Sequence, residues 1–312
     1  MIAFVFPGQG AQKVGMGKAL AGEFPVCRDT FREADEALGE SLSALCFEGP
    51  EDRLLLTENT QPAILAASIA VYRLVESRGV RASFAAGHSL GEYSAHVAAG
   101  TLSFADALRT VRRRGQYMQE AVPVGVGAMA AILGLDAEAV ARACEQAASE
   151  RPGEVVTPAN LNAPGQVVIA GHRAAVARAS ECAKALGARR AIALNVSAPF
   201  HCALMKPAEE RLAPHLRALA ARDPRIPVVA NADGEPKCDA RSAIEALVRQ
   251  VSSPVLWEAV VRRLIADGAR TFVELGPGTV LAGLIKKIDR SVAVMSVEDR
   301  DALAAIDALA CA

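Results

Sequence analysis

The sequence predicts an α/β protein in which a largely parallel sheet is interrupted by a smaller inserted unit. Short, wholly apolar runs end directly at turn residues, as Ile2–Phe6 does at Pro7-Gly8, and this is typical of strands buried on both faces of a parallel sheet. After about Val124 the pattern changes to short strands that alternate with Ala-rich helices. A chain of 312 residues can bury a core large enough to carry such an insertion.

The first part of the chain contains two buried strands separated by a mainly helical stretch. The strands are predicted over residues 2–6 and 83–87, and a helix over 89–99 follows the second strand directly. A further helix begins at Ser103, because Ser103 and Asp106 form a capping box and the apolar residues after it recur at about 100° per residue. Residues 83–99 are therefore interpreted as a strand, a sharp turn and a helix.

The inserted unit is predicted to be a ferredoxin-like small subdomain. Its elements, in order, are a strand over 125–133, a helix over 136–149, strands over 155–159 and 166–170, a helix over 174–186 and a strand over 190–196. This β-α-β-β-α-β order is that of a ferredoxin-like unit. We expect residues 124–197 to form this subdomain, and residues 1–123 and 198–312 to form the large one.

The chain then returns to the large subdomain. After a helix, the pattern predicts a strand over 228–230, helices over 240–251 and 254–267, a strand over 271–275, a Gly276-Pro277-Gly278 loop with a helix, and a strand over 292–294.

Composition excludes several classes of function. The 34 basic and 35 acidic side chains leave a net charge of -1, so the chain has no overall basic field to bind a nucleic acid. The seven cysteines are scattered and lack the paired C-x-x-C spacing of zinc or redox sites, which favours reduced thiols and no metal site. No apolar stretch approaches the length of a membrane span. We therefore expect a cytoplasmic protein with no membrane partner.

The segment Gly87-His88-Ser89-Leu90-Gly91 is the first candidate for chemistry. It fits G-x-S-x-G, in which two glycines allow a tight strand-to-helix turn that exposes a serine hydroxyl. An ordinary tight turn is the alternative, but the predicted strand before it and helix after it are the context that the motif requires. Ser89 is the candidate nucleophile.

A serine nucleophile needs a base, and His201 is the candidate among five histidines. It lies where the chain leaves the inserted unit and re-enters the large subdomain, and clefts between domains are common ligand sites. From position alone a buried structural histidine remains an equal alternative.

A set of motifs in order along nearly the whole chain resembles that of the malonyl-CoA:acyl carrier protein transacylases. Each motif is weak alone, but together they are specific: Gly8-Gln9-Gly10-Ala11-Gln12, Gly87 to Glu92, Arg114-Gly115 with Met118, Asn160 to Gly171, Pro199-Phe200-His201 and Gly276-Pro277-Gly278.

The resemblance implies a hydrolase-like large subdomain with a parallel sheet, and an active site between it and the inserted ferredoxin-like subdomain. It implies Ser89 as nucleophile and His201 as base. It assigns the oxyanion hole to the backbone N–H groups of Gln9 and Leu90. It also implies that the backbone carbonyl of Gln250, and not a carboxylate, orients the histidine, although Gln250 could otherwise be a plain helix-end residue.

Arg114 is the candidate substrate-binding residue. On a helical wheel Arg113 points away from the apolar stripe and Arg112 to one flank, whereas Arg114 falls on the margin of the stripe, where it needs an anionic partner. The resemblance implies that this partner is the malonyl carboxylate. Phe200 and Met118 are predicted to contact the acyl group, and the bulk of Phe200 should disfavour methylmalonyl.

The predicted function is transfer of a malonyl group from malonyl-CoA to the phosphopantetheine thiol of an acyl carrier protein. The predicted path is a ping-pong cycle through a malonyl-serine, with no metal or tightly bound cofactor, since the coenzyme A thioester is a substrate. A thioesterase with the same elbow and a non-catalytic carrier-binding homologue are the alternatives.

Overall fold

The computed structural model describes residues 1–123, 125–196 and 198–310. Val124 and Ser197, at the predicted subdomain boundaries, and Cys311 lie outside these ranges.

Before the insertion the chain forms two strands and seven helices of the described part. They are β1 (Ile2–Phe6), α1 (Lys18–Glu23), α2 (Pro25–Leu38), α3 (Leu42–Glu48), α4 (Glu51–Leu54), α5 (Thr57–Ser77), β2 (Phe84–Gly87), α6 (Gly91–Ala98) and α7 (Phe104–Glu120). The predicted capping at the start of α7 is confirmed, since the Ser103 hydroxyl accepts a hydrogen bond from the backbone N–H of Asp106.

The insertion and the returning chain supply the remaining elements. The insertion contains β3 (Gly127–Leu133), α8 (Ala137–Ser149), β4 (Val156–Ala163), β5 (Gln166–His172), α9 (Arg173–Ala185) and β6 (Arg190–Ala193). After a 3-10 turn (Ala203–Met205) come α10 (Lys206–Arg217), β7 (Val228–Val229), β8 (Pro236–Lys237), α11 (Ala240–Gln250), α12 (Trp257–Ala266), β9 (Thr271–Leu275), α13 (Val280–Ile288), β10 (Ala293–Val297) and α14 (Leu303–Ala310).

The large sheet has six strands in the order β10-β9-β1-β2-β7-β8, and all neighbours except β7 and β8 are parallel. The predicted α/β class with a parallel sheet is therefore confirmed. Phe6 pairs with Gly87, and Val5 with Glu274, so β1, β2 and β9 end at the same edge of the sheet. The loops that follow these three strands consequently meet there, which is where ligand sites form in open α/β sheets.

The small sheet has four antiparallel strands in the order β4-β5-β3-β6. Together with helices α8 and α9 this is the ferredoxin-like arrangement predicted from the sequence. Successive side chains of a strand point to opposite faces of the sheet, so the two faces of the small sheet pack against different cores. On β5, Val167 and Ile169 join a core formed within the small subdomain, whereas Val168 and Ala170 join the core of the large one.

Backbone contacts near the site link the small sheet to the large subdomain. β4 is longer than predicted and reaches Ala163, and Asn160 in it forms a parallel bridge with Val255. The N–H of Leu161 donates to the carbonyl of Val255 at 2.9 Å, and the N–H of Val255 donates to the carbonyl of Ala159 at 2.8 Å. Because Val255 is committed to this bridge, α12 begins at Trp257, and the predicted helix start at residue 254 is wrong.

The predicted ends of two other strands are also wrong. β6 stops at Ala193 and not at residue 196, although Leu194 still donates its N–H to the carbonyl of Met129. β10 continues beyond residue 294 to Val297, because it pairs with β9 along its whole length.

No helix in the described ranges is both long and apolar enough to cross a membrane.

Candidate active site

Ser89 lies at the sharp turn between β2 and α6. Its φ of 51° is in the left-handed region, which a non-glycine residue adopts only where the surroundings impose it. The flanking glycines are required by close backbone contacts. A Cβ atom on Gly87 would lie 1.9 Å from the carbonyl carbon of Gly91, and one on Gly91 would lie 2.0 Å from the carbonyl oxygen of Phe6. The turn therefore has the geometry of a nucleophile elbow.

His201 is the group that contacts the serine hydroxyl as a base would. Its Nε2 lies 2.7 Å from Ser89 Oγ, and its φ of 60° is again left-handed. Its Nδ1 lies 3.0 Å from the carbonyl oxygen of Gln250 and 3.2 Å from that of Ser253. Carbonyls only accept, so the proton of the neutral ring belongs on Nδ1, and Nε2 can accept the proton of Ser89.

The electrostatic surroundings keep His201 neutral. Its pKa is lowered to about 3, first by burial and then by the positive charge of Arg114, and the hydrogen bonds to the carbonyls of Gln250 and Ser253 oppose this only in part. A neutral imidazole is the form that can act as a base. The carbonyl of Gln250 lies where the sequence prediction places it, whereas that of Ser253 is an additional acceptor that no sequence signal indicated.

Arg114 lies against the same serine. It is 2% exposed, and its Nη2 lies 3.1 Å from Ser89 Oγ and 2.9 Å from Gln250 Oε1, while Nη1 donates to Gln61 Oε1 at 2.8 Å. Its guanidinium also lies 5.6 Å from the centre of the Tyr93 ring, a cation-π distance. Of the neighbouring arginines, Arg113 is exposed and Arg112 half-buried.

Among the described residues the hydrogen bonds of Arg114 go to neutral oxygens, those of Gln61, Ser89 and Gln250, and its Nε lacks a partner. Burial lowers its pKa, because the interior disfavours the charged form. A buried cation surrounded by neutral amides and a hydroxyl can bind an anion at short range.

Gln9 and Leu90 lie beside the same space. Both residues line the cavity above Ser89, and no acceptor for either N–H is found among the described residues. The amide of Ser89 itself is already used, since it donates to Asn231 Oδ1 at 2.7 Å. The N–H groups of Gln9 and Leu90 are thus without a partner among the described residues, as the predicted oxyanion donors would have to be.

The cavity over these groups has a volume of about 130 Å³. Phe200 and Met118 line it, as do Leu194 and Val196 from the end of the small subdomain. The lining therefore combines these apolar side chains with the polar groups of Ser89, His201 and Arg114. Asn160 also lines it, which places one of the asparagines of the 160–166 segment at the site.

A buried network behind the elbow was not predicted from the sequence. Glu92 Oε2 accepts from the N–H of Asn231 at 2.9 Å and from Gln250 Nε2 at 2.8 Å. Asn231 Nδ2 in turn donates to the carbonyl of Gly87 at 2.7 Å. These contacts fix the backbone of the elbow from both sides. Glu92 ends the Gly87 to Glu92 motif, but it also has the spacing of an ordinary helix residue and Asn231 that of a turn residue, so no local signal indicated that the two form a buried network.

The other four histidines do not contact Ser89 Oγ. His88 Nε2 lies 2.8 Å from Asn162 Oδ1, and His96 is buried within α6. The ring of His172 accepts from the N–H of Val155, and His215 contacts Arg113 and Tyr117. Among the described residues no group of three or more His, Cys, Asp or Glu side chains is arranged to hold a metal ion.

Comparison with known proteins identifies a family and a set of similar relatives. Residues 3–302 match the acyl transferase domain family. The chain is 50% identical over 302 residues to the malonyl CoA-acyl carrier protein transacylase of Bacillus subtilis. The aligned region covers 97% of this chain and 95% of that one.

Two solved structures are similar over nearly the whole chain. The acyl carrier protein S-malonyltransferase of Vibrio cholerae has a TM-score of 0.95 and 49% identity, covering 98% of this chain and 99% of that one. A malonyl-transacylase in complex with its type II PKS acyl-carrier protein also has a TM-score of 0.95, with 48% identity and 98% coverage of both chains.

Proposed function

Because this chain belongs to the acyl transferase family and, within it, to the malonyl CoA-acyl carrier protein transacylases, we propose that it works through a malonyl ester on Ser89. Malonyl-CoA is the proposed donor, and the phosphopantetheine thiol of an acyl carrier protein is the proposed acceptor. The relative whose structure contains an acyl-carrier protein supports this choice of partner. The proposed cycle uses no metal and no cofactor.

In the first half of the cycle Ser89 Oγ attacks the thioester carbonyl of malonyl-CoA. His201 Nε2, at 2.7 Å, takes the serine proton, and the carbonyl of Gln250 keeps the opposite ring nitrogen protonated. The negative charge that develops on the carbonyl oxygen is stabilised by the N–H groups of Gln9 and Leu90. The C–S bond breaks, His201 returns the proton to the departing sulfur, and coenzyme A leaves.

In the second half the carrier thiol enters the same cavity. His201 removes its proton, the thiolate attacks the malonyl ester, and the Ser89 oxygen leaves with the proton that His201 returns. No net oxidation or reduction occurs, and the enzyme regains its starting state. The guanidinium of Arg114 binds the free carboxylate of the malonyl group in both halves.

One observation carries this proposal: a single hydroxyl, that of Ser89, is in contact with a neutral base and with a buried guanidinium. The base accounts for acyl transfer, and the cation accounts for an acyl group with a free carboxylate.

Intact-mass measurement after mixing with malonyl-CoA tests the acyl-enzyme. We expect the mass of one malonyl group to be added to the protein, to persist in water, and to disappear when a carrier with a phosphopantetheine arm is supplied. Ser89→Ala should give no added mass. Rapid loss of the label in water would instead indicate a thioesterase, and labelling of Ser89→Ala would place the nucleophile elsewhere.

A further inference from the structure

Glu92 is a buried carboxyl group to which the catalytic cycle assigns no role. It is the second residue of α6 and 0% exposed. Its Oε2 accepts two hydrogen bonds, from the N–H of Asn231 and from Gln250 Nε2, whereas Oε1 has no partner among the described residues. A buried carboxyl is costly, so its position directly behind the site calls for a function.

The side chain of Gln250 joins this carboxyl to Arg114. Its Nε2 donates to Glu92 Oε2 and to the carbonyl of Ser89, both at 2.8 Å, and its Oε1 accepts from Arg114 Nη2 at 2.9 Å. A side-chain amide can be placed in two orientations, and the network decides between them. The reverse orientation would direct the NH₂ group at the guanidinium, a donor against a donor, and the oxygen at two acceptors.

We propose that Glu92 is a positioning residue, which through the side-chain amide of Gln250 fixes the guanidinium of Arg114 in the orientation that receives the malonyl carboxylate. The inference rests on the function proposed above. It concerns the side chain of Gln250, which is distinct from the backbone carbonyl that orients His201.

The carboxyl does not need a charge for this role. The pKa of Glu92 is raised to about 7: burial is the largest cause and Asp233 adds to it, whereas the hydrogen bonds from Gln250 and Asn231 and the charge of Arg114 oppose it. A proton on the unpartnered Oε1 leaves Oε2 free to accept both hydrogen bonds. Glutamine at this position keeps the accepting oxygen and the shape, whereas methionine keeps only the approximate shape.

The experiment measures kcat/KM for malonyl-CoA and acetyl-CoA in the wild type, Glu92→Gln, Glu92→Met, Arg114→Ala and the double variant Glu92→Met with Arg114→Ala. We expect Glu92→Gln to stay within about threefold of the wild type for both substrates, because the acceptor remains. Glu92→Met should lose about 10- to 100-fold with malonyl-CoA and much less with acetyl-CoA. In the Arg114→Ala background the same change should cost almost nothing further with malonyl-CoA.

Gln250→Met provides the second test. It is used if the circular dichroism melting curve of Glu92→Met shows that this variant does not fold. It keeps the backbone carbonyl and removes the side-chain amide, so it should show the same selective loss with malonyl-CoA.

Two results would overturn the proposal and leave Glu92 with a role in the elbow alone. One is an equal loss of kcat/KM with malonyl-CoA and acetyl-CoA in Glu92→Met. The other is a double variant whose loss with malonyl-CoA is the product of the losses in the two single variants. A failure of the proposed function would look different: the wild type would not prefer malonyl-CoA, and Arg114→Ala would leave the ratio of the two substrates unchanged.

Discussion

At the residue scale, the hydroxyl of Ser89 interacts with two groups of opposite character. His201 Nε2 can accept its proton at 2.7 Å, and Arg114 Nη2 donates to the same oxygen at 3.1 Å. The charge of Arg114 also helps to keep the pKa of His201 low. Arg114 therefore influences the nucleophile, the base and the proposed carboxylate site together. Loss of the carboxylate site should slow only malonyl transfer, whereas changes at the nucleophile and base should affect malonyl and acetyl transfer alike.

Replacement of Arg114 should remove the proposed preference for malonyl-CoA over acetyl-CoA. For Arg114→Ala we expect a loss of about 2 to 5 kcal/mol in the stabilisation of the malonyl transition state, the range for truncating one member of a buried charge pair. Acetyl transfer has no carboxylate to lose and should fall far less. Arg114→Lys should restore little, since it keeps the charge but lacks the planar fork.

The measurement is kcat/KM for malonyl-CoA and acetyl-CoA in the three proteins. Arg113→Ala is a matched control, because this exposed neighbour on the same helix lies outside the cavity. If both substrates suffer alike in Arg114→Ala, the arginine is structural.

At the element scale, the position of Arg114 depends on how closely α7 approaches α5. Gly115 makes this approach possible: a Cβ atom there would lie 2.6 Å from Glu58 Cα and 2.8 Å from the Thr57 carbonyl oxygen. Both are backbone atoms, so a larger residue can fit only if the helices move apart. Such a movement would displace the residue next to Gly115, which is Arg114.

Gly115→Ala should therefore destabilise the protein by about 1 to 3 kcal/mol, although alanine is the better helix former. Gly283→Ala in α13 is the control, since nothing lies within 4 Å of its added Cβ, and it should stabilise by about 0.4 to 1 kcal/mol. Urea unfolding of the two variants and the wild type gives the comparison. A Gly115→Ala protein as stable as Gly283→Ala would mean that α5 and α7 separate at no cost.

The sequence is sufficient to predict the ends of those strands and helices whose signal lies in neighbouring residues. β1 is wholly apolar and β9 is apolar at three of its five positions, and their predicted ends agree with the structure. The start of α12 is set by the bridge to Asn160, a contact between residues far apart in the chain, and local periodicity cannot report it. The same holds for Glu92, which becomes a buried acceptor only when α11 brings Gln250 beside it.

At the scale of the whole molecule, several buried histidines make stability depend on pH. Burial lowers the pKa of His96 and of His201 to about 3, and both ring nitrogens of His96 lack a partner among the described residues. An unfolded imidazole takes up a proton below its ordinary pKa of 6.5, whereas the buried ring does not until about pH 3. Between these values each such group lowers the free energy of unfolding by about 1.4 kcal/mol per pH unit as the pH falls.

The raised pKa of Glu92 acts in the opposite direction. Its stabilising contribution is complete below its ordinary pKa of 4.5 and is lost as the pH rises through about 7. The pH dependence of the wild type's free energy of unfolding is therefore a sum of opposing contributions. Comparison of the wild type with a variant of one residue isolates one of them.

His96→Leu removes one of the buried imidazoles at similar volume. The difference in Tm between this variant and the wild type should shift in favour of the variant as the pH is lowered from 6.5 towards 4, and should be constant above pH 8, where the ring is neutral in both folded and unfolded chains. Calorimetry across this range checks it. A difference that does not change with pH would show that His96 is protonated equally in the folded and unfolded states.

The bridge between Asn160 and Val255 has a consequence for how the two subdomains move. An inserted unit that is joined only where the chain enters and leaves it can hinge about those two points. Here the hydrogen bonds of Leu161 and Val255 add a third attachment, and Ala163 packs in the same apolar cluster as Trp257. We expect these contacts to restrict hinge motion of the small subdomain against the large one. If hinge motion is restricted in this way, discrimination between acyl groups depends on which groups fit the cavity, and not on closure of one subdomain over the other.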